Sequence, residues 1–508
     1  MRREAVVLVE LSMVFGGGAG GDRVCAHGAD GSDSQPRYSR FFQRSSLARF
    51  LAFAPAVIRT WPVARRGHRY LARMQDGLVA PRWHWLTRVA FRFLAVYFVF
   101  AFFSSICHLV PGLGALGAWH DEAVQPFYAW IGKTAFGVEI TVFPNGSGDT
   151  TYNWVQFASH LVFATVAAAV WSANDWRRPS YPWLKDGLWI AMRFVLAGTM
   201  FGYGINKVFG LQFPEPGMQR LLQDYGDSSP MGLLWTFMGA SQPYTMFAGW
   251  METIGGFLLC FRRTQLVGAL WTAGVMANVF VLNMFYDVPV KIYSFHLLVL
   301  ATVIAAPDMP RLVRMFLLNR PVARADLRGP WTNKIARRTA FGIKIAWLAF
   351  TVPVMFWQMS EMRYTYGALA PRGELDGTWE VREFRRDGVE LPPIVTDTTR
   401  WRYLTLEDRP EWKQAIVTHM KGVNKRWILL VKGATLEFRE RTVAAGDDRS
   451  KAPLVGTLSF TRDGEKTLRL TGEVAGARIE AVCERLEAKD FLLMNRGFHW
   501  VNETPFNR

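Results

Sequence analysis

The stretch Arg193-Phe-Val-Leu-Ala-Gly-Thr-Met-Phe-Gly-Tyr-Gly-Ile-Asn-Lys207 is apolar for most of its length and ends in a lysine. The stretches after it are similarly apolar and carry a few further polar side chains. Together the polar set is Tyr203, Asn206, Lys207, Glu252, Asn278, Asn283, Asp287, Lys291 and His296. Polar groups inside a bilayer face one another or a water-filled cavity, and by default they mark a functional site. The sequence therefore predicts a polar cavity within apolar helices.

The composition favours a membrane protein over a soluble basic one. Hydrophobic residues make up 50% of the chain, which has 21 Trp and 37 Phe residues. The net charge of +17 would suggest nucleic acid, but the arginines cluster in alternate loops, as the positive-inside rule predicts. The four cysteines, Cys25, Cys107, Cys260 and Cys483, form no CxxC pair. The sequence thus argues against nucleic-acid binding, a zinc site and cysteine-based redox chemistry.

Seven segments are apolar and long enough to cross a bilayer, which takes about 20 residues. They are 89–110, 152–172, 187–206, 243–261, 264–285, 289–306 and 340–359. Lys and Arg are concentrated before the first segment and in the loops after the second, fourth and sixth, whereas 112–150, 207–242 and 286–290 have few. This alternation predicts a cytoplasmic N-terminus and an external C-terminus.

Three regions follow from these patterns. Residues 1–87 are predicted to be a flexible basic cytoplasmic extension, and 88–365 a mainly α-helical polytopic bundle. After Tyr366 the sequence alternates, with turn signals such as Asp387-Gly388. The predicted strands are 378–384, 427–431, 435–439, 454–460, 467–470 and 477–482. Region 366–508 is therefore expected to be an external antiparallel β-barrel or β-sandwich.

A family resemblance is carried by the stretch ending in Lys207, by Gly249-Trp-Met-Glu-Thr-Ile-Gly-Gly-Phe-Leu-Leu259 and by Arg262-Arg-Thr264. These motifs, within 187–306, resemble the DoxX-like family of bacterial membrane proteins. That family is a small helical bundle named for a subunit associated with a quinol oxidase and with thiosulfate:quinone oxidoreductase. The resemblance implies a membrane component of a quinone-linked redox system, with a redox partner protein.

The same order of features is similar, more distantly, to the transmembrane domain of vitamin K-dependent gamma-carboxylases. In those enzymes a lysine acts as base on a reduced quinone, and Lys207 occupies the matching position. This chain has Asn206-Lys207 where the animal carboxylase has two lysines. The resemblance implies an enzyme with Lys207 as base, so a catalytic role is left open.

The C-terminal region resembles a lipocalin-type barrel, because Gly377-Thr-Trp379 matches the G-x-W pattern of a first strand. The resemblance implies that Trp379 closes one end and that a late arginine packs on it, with Arg496 as the candidate. The aromatic chain end from Arg496 to Arg508 is expected to be docked. A barrel that binds a lipid or another apolar molecule gives a third, non-catalytic function.

Each polar residue also has a structural interpretation. Lys207 is predicted either to snorkel to the membrane surface or to act in the site. Glu252 lies nine residues beyond Pro243, about 13 Å into a helix, where snorkelling cannot easily reach water. Glu252 is therefore the stronger candidate for a functional side chain, and its structural interpretation is a neutral, protonated carboxyl or a pair with Lys207.

Other groups near the ends of the segments have simpler expected roles. Arg88, Arg92, Arg193 and Lys344 are expected to snorkel at the cytoplasmic face. Gly249, Gly255 and Gly256 are expected to allow close helix packing. Asn278 and Asn283 are predicted to form interhelical hydrogen bonds, with site lining as the alternative, and His108, His160 and His296 to be core histidines, ligands or proton relays. The leading hypothesis is a quinone-linked membrane protein in which Lys207 and Glu252 are catalytic and the other seven polar residues bind the cofactor.

Overall fold

The computed structural model describes residues 82–142, 146–325, 327, 330–331, 333–409, 413–441 and 449–507. The predicted basic extension lies outside the described residues up to position 81. The main helices are α1 (Trp85–Leu109), α2 (Gly114–Phe136), α3 (Thr151–Asn174), α4 (Pro182–Val208), α5 (Met218–Leu221), α6 (Pro230–Gly239), α7 (Gln242–Cys260), α8 (Gln265–Phe285), α9 (Lys291–Ala305), α10 (Met309–Leu312), α11 (Lys334–Thr365) and α12 (Leu492–Asn495).

Six of these helical segments are long and apolar enough to cross a membrane: α1, α3, α4, α8, the segment Lys291–Leu317 that begins with α9, and α11. The prediction of a helical, membrane-compatible region is confirmed. The remaining predicted span, 243–261, forms the 19-residue helix α7, but Gln242, Tyr244 and Glu252 make it more polar than the six. The count of seven crossings stays a prediction.

The helix surfaces have the apolar character that lipid contact requires. On α3, Val162, Val166 and Val170 follow one another at intervals of four residues, and all three side chains are exposed. Residues at this spacing share one helix face, so the valines form an apolar stripe on α3. Trp85 and Trp183 are exposed near helix starts, as in an interfacial aromatic belt. These features are consistent with a multi-pass membrane protein.

The described chain divides into two compact units. Residues 82–204 and 250–353 make up unit 1, and 205–249 with 354–507 make up unit 2. In unit 1, close packing depends on small residues. A Cβ at Gly256 would lie 2.8 Å from the Phe201 ring and 3.0 Å from the Ala197 carbonyl oxygen, and one at Gly255 would lie 2.6 Å from Thr272 Oγ1. The packing role predicted for Gly255 and Gly256 is confirmed.

The β-domain in unit 2 consists of β1 (Gly377–Arg386), β2 (Val389–Glu390), β3 (Trp401–Asp408), β4 (Lys413–His419), β5 (Asn424–Lys432), β6 (Thr435–Arg439), β7 (Leu454–Asp463), β8 (Thr467–Val474) and β9 (Ala477–Leu486). Neighbouring strands pair antiparallel in the order β1, β3 to β9, and β9 pairs with β1. This closes an eight-stranded barrel, with β2 as a short hairpin partner of β1. The predicted antiparallel barrel is confirmed, and β2, β3 and β4 were missed.

Two local features of the barrel follow directly from sequence. Asp387 and Gly388 both have positive φ, 51° and 80°, as a tight hairpin turn between β1 and β2 requires. The interior is filled by apolar side chains from every barrel strand, among them Trp379, Leu404, Leu429, Phe438 and Leu468. An eight-stranded barrel is just wide enough for side chains to fill it. The barrel therefore has a packed core of its own.

The arginine that covers Trp379 is Arg485, whereas the prediction was Arg496. The Arg485 guanidinium lies 5.6 Å from the centre of the Trp379 ring, whereas Arg496 lies over Phe506. Arg485 is opposite Trp379 in the β1–β9 register and donates a 2.7 Å hydrogen bond to the Asp376 carbonyl. The assignment to Arg496 is wrong because strand pairing, which closes the barrel, selects Arg485.

The aromatic chain end is also not docked as expected. Phe498, Trp500 and Val501 are exposed, and Trp500 keeps 91% of its surface accessible. Phe498 and Trp500 contact each other edge to face, with ring centres 5.0 Å apart. Aromatic content alone does not predict docking, since these rings pack locally.

Candidate functional site

Glu252 and Lys207, the two proposed catalytic residues, are both buried. Glu252, in α7, is 3% exposed, and Lys207, in the last turn of α4, is 6% exposed. The Lys207 ammonium lies 6.0 Å from the centre of the Phe213 ring, within cation–π range. A snorkelling lysine keeps its head in water, so the burial of Lys207 argues against that interpretation. Mutual compensation of Lys207 and Glu252 stays a prediction.

The end of α4 is set by its local sequence. Gly210 has φ +67°, and its N–H donates to the Lys207 carbonyl, while the N–H of Leu211 donates to the Asn206 carbonyl. A glycine in this conformation is the usual way for a helix to stop. Asn206, the residue before Lys207, is also buried. The helix end Gly204-Ile-Asn-Lys207 therefore places the polar side chains of Asn206 and Lys207 in the last, buried turn of α4.

Tyr203 lies one turn earlier on α4, in unit 1. Its ring centre is 6.3 Å from that of Tyr293 on α9. The Tyr293 hydroxyl is 3.4 Å from Thr199 Oγ1, again on α4. The structure thus brings Tyr203 to the α4–α9 contact, a position that could present a phenol to a ligand.

The asparagines behave differently from each other. Asn283 is buried, and its amide donates to Ser294 Oγ at 3.0 Å and to the Val290 carbonyl at 3.4 Å. It joins α8 to the start of α9, so the predicted interhelical role is confirmed for Asn283. Asn278 is exposed and does not join the buried groups.

Asp287 and Lys291 form an ion-paired connection between α8 and α9. Lys291 Nζ lies 2.8 Å from Asp287 Oδ1 and 3.9 Å from Asp149 Oδ2. Asp149 accepts hydrogen bonds from the backbone N–H groups of Lys291, at 2.7 Å, and Ile292, at 3.0 Å. A carboxylate at a helix N-terminus satisfies its free donors and its dipole. These contacts give Asp287 and Lys291 a visible structural role at the start of α9.

His296 belongs to a second polar cluster, inside unit 1. Its Nε2 is hydrogen-bonded to the Tyr97 hydroxyl, and its Nδ1 is 2.7 Å from the Ile292 carbonyl oxygen. His160 is similarly paired, with Nε2 2.9 Å from the Tyr128 hydroxyl. His108 instead bonds the Ser104 carbonyl of its own helix. The sequence reasoning identified the histidines but missed Tyr97 and Tyr128, which lie on other helices.

Two arginines expected to snorkel are buried instead. Arg92 is 2% exposed and donates to the Tyr181 hydroxyl, Ser172 Oγ and the Asp175 carbonyl. Arg193 donates to the carbonyls of Leu259 and Cys260, at 3.0 and 3.1 Å, and to Gln265. The snorkelling prediction is wrong for both because neighbouring helix ends supply free carbonyl acceptors. Arg193 thereby fixes the end of α7 against α4.

A functional site could also contain a cluster of metal-ligating side chains. Within the part of the chain that the structure describes, no group of three or more His, Cys, Asp or Glu side chains could hold a metal ion. The polar side chains in the helices of unit 1 instead combine hydroxyl, amide, imidazole and carboxyl groups. Such groups can donate and accept hydrogen bonds and, through Glu252 and the histidines, move protons.

The fold and these buried groups define a class: a protein whose described residues form six membrane-compatible helices with polar side chains within them, and a closed eight-stranded β-barrel. Over 124 residues the chain is 28% identical to the uncharacterized protein YwoB of Bacillus subtilis (strain 168), a match that covers 24% of this chain and 79% of that protein. No family model matches the chain, and no solved structure matches it. The comparison thus adds a bacterial relative and no activity.

Proposed function

We propose that this chain is a DoxX-like, quinone-binding component of a redox system in the bacterial cytoplasmic membrane. The observation that carries the proposal is Glu252, a carboxyl group 3% exposed in the middle of α7. An ionisable side chain in such a position is costly and is usually retained for function. A quinone head group offers carbonyl or hydroxyl oxygens to polar side chains and dissolves in the bilayer. The Tyr, Asn and His side chains described in unit 1 can supply matching donors and acceptors.

Binding of ubiquinone-1 to the full chain in lipid nanodiscs tests this proposal. We expect Glu252→Gln to weaken binding about tenfold, because the change removes a carboxyl that can transfer a proton but keeps the side-chain shape. Isothermal titration calorimetry would measure the dissociation constant. The matched control is Glu361→Gln, which changes an exposed carboxyl on α11. Equal affinity of both variants and the unaltered chain would remove Glu252 from the site.

A second candidate function is a carboxylase-like enzyme that uses a reduced quinone. The observation that favours it is the burial of Lys207 at the position that the carboxylase resemblance assigns to the base. Lysine is one of the side chains that act as general bases in enzymes. Both functions use a quinone, and they differ in whether Lys207 takes a proton from it.

The third alternative places an apolar ligand inside the barrel. The side chains that fill the interior, such as Leu404, Leu429 and Phe438, have no accessible surface. This packing supports a structural barrel over a ligand carrier. We propose that the barrel is lipocalin-like in form, on the support of the G-x-W sequence, the burial of Trp379 and the guanidinium of Arg485 above its ring.

We also propose that the N-terminus is cytoplasmic and that the barrel lies outside the membrane. The support is the alternation of basic and non-basic loops. We expect a reporter fused after Arg338 to indicate the cytoplasm and one fused after Tyr366 to indicate the outside, because residues 339–365, which are most of α11, lie between these points. Paired alkaline phosphatase and green fluorescent protein fusions measure this. The same location at both points would show that α11 does not cross.

A further inference from the structure

Two tyrosine–histidine pairs lie within unit 1, and they differ in accessibility. One pair joins Tyr97 of α1 to His296 of α9, and the other joins Tyr128 of α2 to His160 of α3. Tyr128 and His160 are buried, whereas Tyr97 and His296 are each partly accessible. The two pairs are neighbours, because the rings of Tyr97 and His160 meet edge to face with centres 6.4 Å apart. The Tyr97–His296 pair is therefore the less buried of the two.

The hydrogen bonds of His296 assign its two ring nitrogens. Nδ1 lies 2.7 Å from the Ile292 carbonyl oxygen, which can only accept, so Nδ1 carries the proton. In the neutral ring Nε2 is then an acceptor, and the Tyr97 hydroxyl donates to it. If a ligand separates the two side chains, one hydroxyl donor and one imidazole acceptor become available side by side.

Aromatic rings pack around the Tyr97–His296 pair. The Tyr97 and His296 rings stack with centres 5.7 Å apart and an interplanar angle of 10°. Phe157 and Phe102 meet His296 edge to face, with centres 5.4 and 5.9 Å away. At Phe102 the backbone of α1 leaves the helical conformation, with φ −127° and ψ 18°. Flat aromatic surfaces beside one donor and one acceptor suit a planar ring that carries oxygen substituents.

We propose that Tyr97 and His296 bind the head group of a quinone or quinol, an inference that rests on the proposed function. The Tyr97 hydroxyl donates to a ring carbonyl of the quinone form, and His296 Nε2 accepts from a ring hydroxyl of the quinol form. The buried Tyr128–His160 pair holds α2 against α3 and does not contact the ligand. The two pairs thus have the same chemistry and different roles.

Binding of ubiquinone-1 to full-length variants in lipid nanodiscs tests this assignment. We expect Tyr97→Phe, which keeps the ring and removes the hydroxyl, to weaken binding about tenfold, and His296→Gln to weaken it at least as much. The matched control is Tyr128→Phe, which removes the same atom from the buried pair. We expect the control to lower the melting temperature and leave the affinity unchanged. Tyr97→Phe removes a hydrogen bond between less buried side chains, so we expect it to lower the melting temperature less than the control does.

The outcomes separate this inference from the proposed function. Unchanged affinity in both Tyr97→Phe and His296→Gln, with Glu252→Gln still impaired, overturns the assignment and leaves quinone binding in place. Equal weakening by Tyr97→Phe and Tyr128→Phe shows that both pairs act through helix packing and also overturns it. A full-length chain that does not bind ubiquinone-1 removes both proposals. If Tyr97→Phe does not fold, the His296→Gln titration decides.

Discussion

Trp379→Ala should lower the free energy of unfolding of the barrel by about 3–5 kcal/mol, as truncation of large aromatic side chains in cores does. Trp379 has no accessible surface, its Nε1 donates to the Leu375 carbonyl at 3.1 Å, and Arg485 covers its ring. The alanine variant loses the apolar contacts and leaves a cavity at the point where β1 meets β9. The effect should therefore exceed that of any surface substitution in the domain.

Chemical denaturation of the fragment 366–508 measures this change. The fragment is suitable because its strands close on themselves and the core residues all lie between Leu375 and Cys483. The matched control is Trp500→Ala, since Trp500 is 91% exposed, and we expect its effect to stay within about 0.5 kcal/mol. Equal midpoints for the two variants would contradict the position assigned to Trp379.

Arg400→Met should destabilise the barrel by about 3 kcal/mol, because it leaves several buried carbonyl acceptors without a hydrogen-bond donor. Arg400, 2% exposed, donates to the backbone carbonyls of Leu391, Trp401, Val381 and Arg382, at 2.9 to 3.1 Å. The guanidinium thereby ties the segment before β3 to β1 and to the chain after β2. Methionine fills similar space and donates no hydrogen bond.

The neighbouring Arg402 provides the control for Arg400. Arg402 lies on β3, two residues after Arg400, and is exposed, with its guanidinium over the Tyr403 ring. We expect Arg402→Met to change the unfolding free energy by less than about 0.5 kcal/mol in the same fragment. A similar loss of unfolding free energy in both variants would mean that the effect of Arg400→Met comes from the change in net charge and not from the buried carbonyls.

Periodicity and composition predicted the elements of this fold well where one face is apolar. The six predicted β-strands are present, and β6 has the predicted bounds. β3 escaped prediction because Tyr403, Leu404, Thr405 and Leu406 are buried in succession, which hides the alternation of a strand. Strands with both faces covered cannot be distinguished in this way from other apolar runs.

The candidate site was predictable only in part, since it depends on contacts between distant residues. The burial of Glu252 followed from its depth in an apolar segment. Tyr97 and His296 are 199 positions apart, and no local pattern connects them. Arg193 was misjudged for the same reason, because its acceptors lie 66 and 67 positions away at the end of α7. Side-chain partners across helices require the tertiary structure.

The most direct test of the central claim, that the helical region holds a quinone, is mass spectrometry of the lipids and quinones that co-purify with the full chain from mild detergent. The account predicts a quinone enriched well above its share of the membrane extract in the unaltered chain, and depleted in the Glu252→Gln variant purified in parallel. Phospholipids alone, with the quinone no more abundant than in the extract, would contradict it.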